Sequence, residues 1–219
     1  GMIYKVTPTT SLGFTAKTPT FMSVTDETTS YTDINYFKPG ENNSFAKFKS
    51  KYYDSSFDYN LQTPYKLSLG VTQYFSAGLL TAEVEYVDYA SMRFRDPNNY
   101  NPTQEKSMNE NIKATYQSAV NLRVGGEVLF NHILSGRAGF NYSGNPYKNA
   151  DYETYGVSAG VGAKLGNGFY VDLTGVYAAN NYKESPYRIT YEKDWNTVSP
   201  SAEIKNTRIN AVLTLGAKF

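Results

Sequence analysis

The sequence has no cysteine, a single histidine and a single tryptophan in 219 residues. Without cysteine there is no disulfide frame and no thiolate metal site. Charge of either sign is not in excess: 21 Lys and Arg stand against 20 Asp and Glu, a net charge of +1. That balance excludes nucleic acid as the main partner. Long hydrophobic runs are missing too. No stretch of 18 apolar residues occurs and mean hydropathy is −0.51, which excludes a transmembrane helix. It does not exclude a membrane β-barrel, whose strands carry apolar residues only at alternate positions. No apolar leader opens the chain. Gly1 ahead of Met2 resembles a residue left by tag cleavage, and an exported protein would have its natural start upstream.

What is plentiful is 21 Tyr, 12 Phe and 17 Gly, a strand-forming composition. The dominant pattern is alternation with a period of two. In RINAVLTLGAKF, Ile209, Ala211, Leu213, Leu215, Ala217 and Phe219 share one face; Arg208, Asn210, Thr214, Gly216 and Lys218 share the other, with only Val212 out of place. Such alternation marks a strand with one greasy and one polar face. The same reading holds for LLTAEVEY, AVNLRVGGEVLF, ILSGRAGFNY, YGVSAGVGAKL and FYVDLTGVY. Parity also runs unbroken across Pro64, since Phe57, Tyr59, Leu61, Tyr65, Leu67, Leu69 and Val71 are all odd. Likewise Tyr4, Val6, Leu12, Phe14 and Ala16 are even across Pro8. Both stretches therefore read as single strands, with Pro64 at an edge, a bulge or an unpaired upper portion.

About eight strands result, at 2–17, 55–75, 79–93, 112–130, 133–143, 153–165, 169–183 and 204–219. Tight turns at Ser76–Gly78, Asn131–His132 and Gly166–Gly168 alternate with long polar connections at 18–54, 94–111, 144–152 and 184–203. Short turns at one end and long loops at the other are the habit of outer-membrane barrels. The expected fold is all-β: an antiparallel up-and-down transmembrane β-barrel, with residues 1–219 as one barrel domain or barrel fragment. An even strand count puts both chain ends at the short-turn side.

Three features set the greasy face outward rather than inward. Tyr86, Tyr89, Tyr142 and Tyr155 are placed near one rim, and Phe75, Phe130, Phe169 and Phe219 near the other, as two interfacial girdles. The stripe Ile209–Phe219 spans roughly 35 Å along its strand, or somewhat over 25 Å after a tilt of about 40°, which matches an apolar membrane band. The opposite face is small or charged, with Gly13, Gly70, Gly125, Gly139, Gly160 and Gly216 among Arg and Glu. Charges on that face look mutually compensating: Glu83 and Glu85 with Arg123, Glu127 with Arg137, and Lys164 and Arg208 flanking Asp172. Isolated buried charges are costly, so pairing is expected, and its first role is to fill the lumen.

Three stretches resemble the FadL/TodX/OmpP1 family of outer-membrane transporters of hydrophobic compounds. They are TPYKLSLGVTQYFSAGLLTAEVEYVDYASMRF, AVNLRVGGEVLFNHILSGRAGFNYSGNPY and YGVSAGVGAKLGNGFYVDLTGVYA. The resemblance covers most of 2–17 and 55–219. It implies the C-terminal part of a 14-stranded barrel, located in the bacterial outer membrane, that moves long-chain fatty acids or aromatic hydrocarbons passively. Implied partners are outer-membrane lipid, hydrophobic small molecules and the barrel assembly machinery, read through the terminal aromatic Phe219. No cofactor and no enzymatic activity are implied. Two other readings stay open: a small structural or adhesive barrel, and a soluble lipocalin-like lipid binder.

Elsewhere the bland reading is favoured. His132 is a turn residue without an ordered Ser or Asp partner. GVGAKLG mimics a phosphate loop but lies in an alternating strand with no helix after it. Asp96-Pro-Asn-Asn reads as a polar turn before it reads as a calcium loop.

Overall fold

The computed structural model describes all residues except 38–44, 99–100, 167, 188, 192–195 and 218–219. The elements are β1 (Met2–Thr7), β2 (Thr10–Lys17), β3 (Phe21–Ser30), β4 (Asp33–Phe37), β5 (Phe45–Lys49), β6 (Tyr53–Gln62), β7 (Lys66–Phe75) and β8 (Gly78–Asp88). A 3-10 turn (Tyr89–Ser91) leads to β9 (Arg93–Arg95) and α1 (Pro102–Thr115). Then come β10 (Ser118–Leu129), β11 (Leu134–Ser143), β12 (Tyr152–Gly166), β13 (Phe169–Glu184), β14 (Ile189–Tyr191), β15 (Asn196–Val198) and β16 (Ala202–Ala217). Nine of these strands form one antiparallel sheet in the order β1-β2-β7-β8-β10-β11-β12-β13-β16. Each neighbour is the next strand of the wall in chain order, so the topology is up-and-down. At the tightest turn Gly166 and Gly168 have φ of +86° and +81°, a left-handed conformation that glycine adopts without the Cβ penalty.

Four details differ from the sequence reading. First, residues 2–17 are a hairpin, not one strand. The Thr7 hydroxyl accepts from Thr9 N (3.2 Å) and donates to the Thr10 hydroxyl (2.8 Å), closing a turn over Pro8. A register shift between Lys5 and Thr7 sets Tyr4 opposite Leu12 and Met2 opposite Phe14. Even residues therefore face even residues, and parity passes through the turn unchanged. The wall has nine strands, and β1 and β16 run into the same short-turn end, so the two chain ends do not share a side.

Second, 55–75 is interrupted at 63–65, giving β6 and β7, but the line of the strand is kept. Lys17 faces Lys66, Phe21 faces Gln62, and Thr63 N donates to Thr20 O (2.9 Å) between them. On the next strand two more residues are needed: Lys66 to Gln62 is four steps, whereas the opposite Val87 to Arg93 is six. The 3-10 turn absorbs the excess. Third, the connection 18–54 is no irregular loop. It is an arm in which β3, β6 and β9 form a three-stranded sheet and β4 and β5 a ribbon beyond it. The connection 184–203 likewise holds the β14–β15 hairpin. Fourth, residues 102–115 are helical, so the strand expected from 112 begins at Ser118. Asn101 caps this helix by accepting from Gln104 N (3.0 Å), with Pro102 just inside. The Asn109 amide accepts from Phe94 N and donates to Phe94 O, both at 2.9 Å, pairing the edge of β9 as a strand would.

The two faces of the sheet differ as expected for a barrel with a greasy outside. Leu69, Val124, Val161 and Leu213 are 65%, 51%, 59% and 64% exposed. In the nine-stranded sheet every buried residue lies on the polar face: Glu85, Val87, Ala119, Asn121, Ser135, Gly156 and Gly162. The accessible area is 16519 Å², against about 10,000 Å² for a compact chain of this mass. The sheet is thus not covered by its own chain. Phe75, Phe130 and Phe169 lie exposed at the short-turn end, and Tyr86 and Tyr155 at the other. Tyr89 is instead half-buried in the 3-10 turn, and Phe219 lies outside the described residues.

Leu213→Arg, which puts a cation on the outward face, is expected to destabilise the membrane-inserted protein by about 2–4 kcal/mol. Thr214→Arg, one residue along and facing in, should cost much less. Urea unfolding from lipid vesicles measures both, and equal losses would reverse the assignment of faces.

Candidate functional site

The inward face of β8, β10, β11, β12 and β13 carries two charge clusters. In the first, Arg123 Nη1 donates to Glu83 Oε1 (2.6 Å) and Arg123 Nη2 to Glu85 Oε1 (3.0 Å). Antiparallel register dictates this, since Glu83 lies directly opposite Arg123 and Glu85 opposite Asn121. The buried Glu85 also accepts from Asn121 Nδ2 (2.9 Å), and Asn121 Oδ1 accepts from Gly144 N (3.1 Å). Asn121 thereby ties the wall to the loop above it. Asn121 shares the polar parity of Arg123 within AVNLRVGGEVLF, and its position opposite an acidic residue in the β8–β10 register is the signal that marks it.

In the second cluster Arg137 spans three strands. Its Nε donates to Glu127 Oε2 and its Nη1 to Asp172 Oδ1, each at 2.5 Å. Glu127 is its direct neighbour on β10, but Asp172 lies on β13, beyond β12. The crossing is open because β12 carries glycine where the two side chains meet. A Cβ at Gly162 would stand 2.3 Å from Asp172 Oδ1 and 2.9 Å from Ser135 Oγ. Charge-assisted contacts of this geometry are among the stronger hydrogen bonds.

Of the eight residues singled out, the wall joins Glu83, Glu85 and Arg123, and separately Glu127, Arg137 and Asp172. It does not bring Arg208 to Asp172. Arg208 faces Ala178, while Asp172 faces Thr214, about 20 Å along the strand. Lys164 faces Tyr170 and makes no ion pair among the described residues. Arg137 takes the place intended for both. Between the clusters lies a depression of about 540 Å³ on a floor that includes Gly125, Gly139 and Gly160, with Thr81, Ser158 and Thr174 at its sides.

Tyrosines crowd the long-loop rim. Ring centroids lie 5.2 Å apart for Tyr116–Tyr147, 5.6 Å for Tyr147–Tyr152 and 5.1 Å for Tyr152–Tyr182. Outside the membrane-spanning strands, burial and neighbouring Tyr116 push the Tyr147 phenol upward, and burial with the Glu85 charge does the same to Tyr89. On the outer face Tyr142 and Tyr155 pack at 5.2 Å, and both hydroxyls donate to Glu153. Asp96 has a structural occupation: its two carboxylate oxygens accept from Asn98 N and Asn101 N, both at 3.0 Å. His132 sits in the exposed bend before β11.

An up-and-down antiparallel sheet with its apolar face bare and its charges paired on the inner side defines a wall of a transmembrane β-barrel. Two solved proteins share this barrel fold. A FadL homologue of Pseudomonas aeruginosa aligns with a TM-score of 0.51 at 15% identity, over 96% of this chain and 49% of its own. The P. putida toluene transporter TodX aligns with a TM-score of 0.53 at 14% identity, over 99% of this chain and 47% of its own. The chain therefore spans about half the length of these solved proteins. No family model and no curated protein matches the sequence.

Gly162→Ala is expected to push Asp172 away from Arg137. A double-mutant cycle with Asp172→Asn should show a coupling on the order of 1 kcal/mol, because once the carboxylate is neutral there is less left for the methyl group to break. Strictly additive losses in vesicle unfolding would deny the three-strand bridge.

Proposed function

We propose that the chain forms half the wall of an outer-membrane barrel that passes hydrophobic compounds, long-chain fatty acids or aromatic hydrocarbons, without an energy source. The observation that carries this reading is the inverted sheet: lipophilic side chains outward, paired charges inward, in a fold shared with a FadL homologue and with TodX. An inverted sheet belongs in a bilayer, and the bacterial outer membrane is where barrels of this fold class reside. The lipocalin-like alternative requires the opposite orientation, with Leu69 and Val161 inside. Transport here is a matter of position and surface rather than bond chemistry, so no catalytic residue is assigned.

The wall's contribution is a polar lining of ion-paired side chains. Arg123 and Arg137 each pair with two carboxylates, so each cluster keeps one net negative charge while all four carboxylates have a cationic partner. Lipid contacts the outer face, and the assembly machinery would read the last strand, β16.

Cells lacking their own hydrophobic-compound transporter and supplied with the complete protein are expected to take up labelled oleate or toluene faster than controls. Uptake of small sugars should not change. No gain for either hydrophobic compound would remove the transport reading.

A further inference from the structure

We infer that the bilayer crosses the wall obliquely, between a line of tyrosines (Tyr65, Tyr86, Tyr142, Tyr155, Tyr177) and a line of phenylalanines (Phe75, Phe130, Phe169), so that a single register row of the sheet passes from hydrocarbon into water. This rests on the membrane-barrel reading above and deepens it by fixing which part of the outer face meets lipid.

The hydrogen-bonded register serves as a ruler, with the long-loop end as its top. One outward row runs from Leu69 on β7 through Val84, Leu122, Tyr142, Tyr155 and Ala179 to Thr207 on β16. Its side chains change from aliphatic to phenolic to small or polar. The tyrosines step down across this row. Tyr65 stands four residues above it in line with β7, Tyr86 two above it on β8, Tyr142 and Tyr155 on it, and Tyr177 two below it on β13. A lower row runs from Phe75 through Val128, Gly136, Val161 and Leu173 to Leu213. The phenylalanines step down across it in the same sense: Phe75 lies on the row, Phe130 two residues below it past β10, and Phe169 four below it on β13. Over the five strand spacings from β7 to β13 these drops correspond to strand tilts of roughly 40° and 30°, around the tilt of about 35–45° usual for such barrels. The lines lie ten residues apart on β7 and eight on β13, which after the tilt is about 22–27 Å. An apolar band is about 25 Å tall.

The chemistry changes at both lines. Between them every outward position of β8 through β13 is Gly, Ala, Val, Leu or Phe. Beyond the tyrosines lie Asp88, Glu153, Asn181 and Lys205. The phenols turn that way: Tyr86 donates to Ser118 Oγ (2.8 Å), and Tyr142 and Tyr155 donate to Glu153 (3.2 and 2.6 Å). An amphipathic ring at a water–lipid boundary keeps its hydroxyl on the wet side. Carried past β7 at the same slope, the lower line rises to the level of Thr10 and Thr7 at the foot of β2 and β1. There the wall is polar and self-satisfied, with Thr7 donating to Thr10 (2.8 Å) and Thr10 to Gln73 (2.7 Å). A boundary drawn along the register would instead put Leu213 at the same interface as Phe75, and Thr207 as deep as Leu69.

The chain has no cysteine of its own, so one introduced at a time carries a single fluorophore. Leu69→Cys, Ala179→Cys and Thr207→Cys sample the upper row, and Phe75→Cys, Val161→Cys and Leu213→Cys the lower. Leu69, Phe75 and Leu213 are 65%, 55% and 64% exposed, so replacing them removes little packing, and protease resistance in vesicles confirms the fold of each variant. The complete barrel is placed in phosphatidylcholine vesicles whose lipids carry a nitroxide quencher at a chosen depth. The label at Leu69 is expected about 16 Å deeper than the label at Thr207, although the two share a row. The label at Leu213 should lie near the bilayer centre and the one at Phe75 at the interface. Equal depths along either row overturn the oblique boundary and leave the membrane barrel standing. Labels that no lipid quencher reaches would show protein, not lipid, against this face, and the membrane-barrel reading would fall with the inference.

Discussion

The structure depends on one unmet requirement: a wide sheet whose apolar face has no protein to lie against. In a soluble sheet protein the greasy face packs on a second layer, and the charged face meets water. Here Leu69, Val124, Val161 and Leu213 are largely bare, while Glu85 and Asn121 are buried. At about 25 cal/mol per Å², such a surface in water would outweigh the few kcal/mol by which domains are normally stable. Hydrocarbon removes the penalty. The same medium then imposes the rest, because each backbone N–H and C=O must find its partner within the sheet. The registers from β7 through β16, continuous but for a shift between Lys164 and Gly166 beside the turn, meet that demand.

The inner charges follow from the same constraint. Once the polar face is turned inward, charges on it have fewer waters than surface residues do, and unpaired ones become expensive. The wall solves this in two ways. Where register puts opposite charges on adjacent strands, as for Glu83 with Arg123 and Glu127 with Arg137, pairing is direct. Where it does not, glycine clears the path, and Arg137 crosses β12 to Asp172 over Gly162. Glycines on this face are therefore part of the electrostatics as well as of the space inside the barrel.

How far the sequence could be read is decided by what parity records. Alternation identifies a face, and every strand from β7 to β16 in the wall was legible because its outward side chains follow it. A normal two-residue hairpin changes the parity of the outward set, as between Leu69 and the opposite Val84. At Pro8 a bulge restored parity, so a hairpin passed for a strand; at Pro64 parity was preserved because the strand really does continue in line. The helix Pro102–Thr115 escaped because it is largely polar, with Met108 and Ile112 alone too short a stripe to set a helical period. Its local signals are Asn101-Pro102, a cap followed by a proline suited to the first turn, and Gln104 three residues after the cap. Pairs such as Glu127–Arg137 follow from neighbouring strands and were readable. The Arg137–Asp172 bridge spans two strand spacings and depends on how far a side chain reaches over glycine, which alternation does not encode.

Nine strands with this lining leave two edges to be met. β1 pairs only with β2, and β16 only with β13, among the described residues. β16 is 16 residues long, and its free edge inside hydrocarbon would leave a row of N–H and C=O groups unpaired at several kcal/mol each. Charged residues or bulges can protect such an edge in water, but not in lipid. The side chains already favour a membrane, so the edges are the last open term, and they are satisfied either by pairing with each other or by further strands. The two solved barrels with the same fold are about twice as long as this chain. A cylinder closed from nine strands alone would be narrow enough for its side chains to fill it. The depression between the Arg123 and Arg137 clusters would then face the opposite wall rather than an open passage.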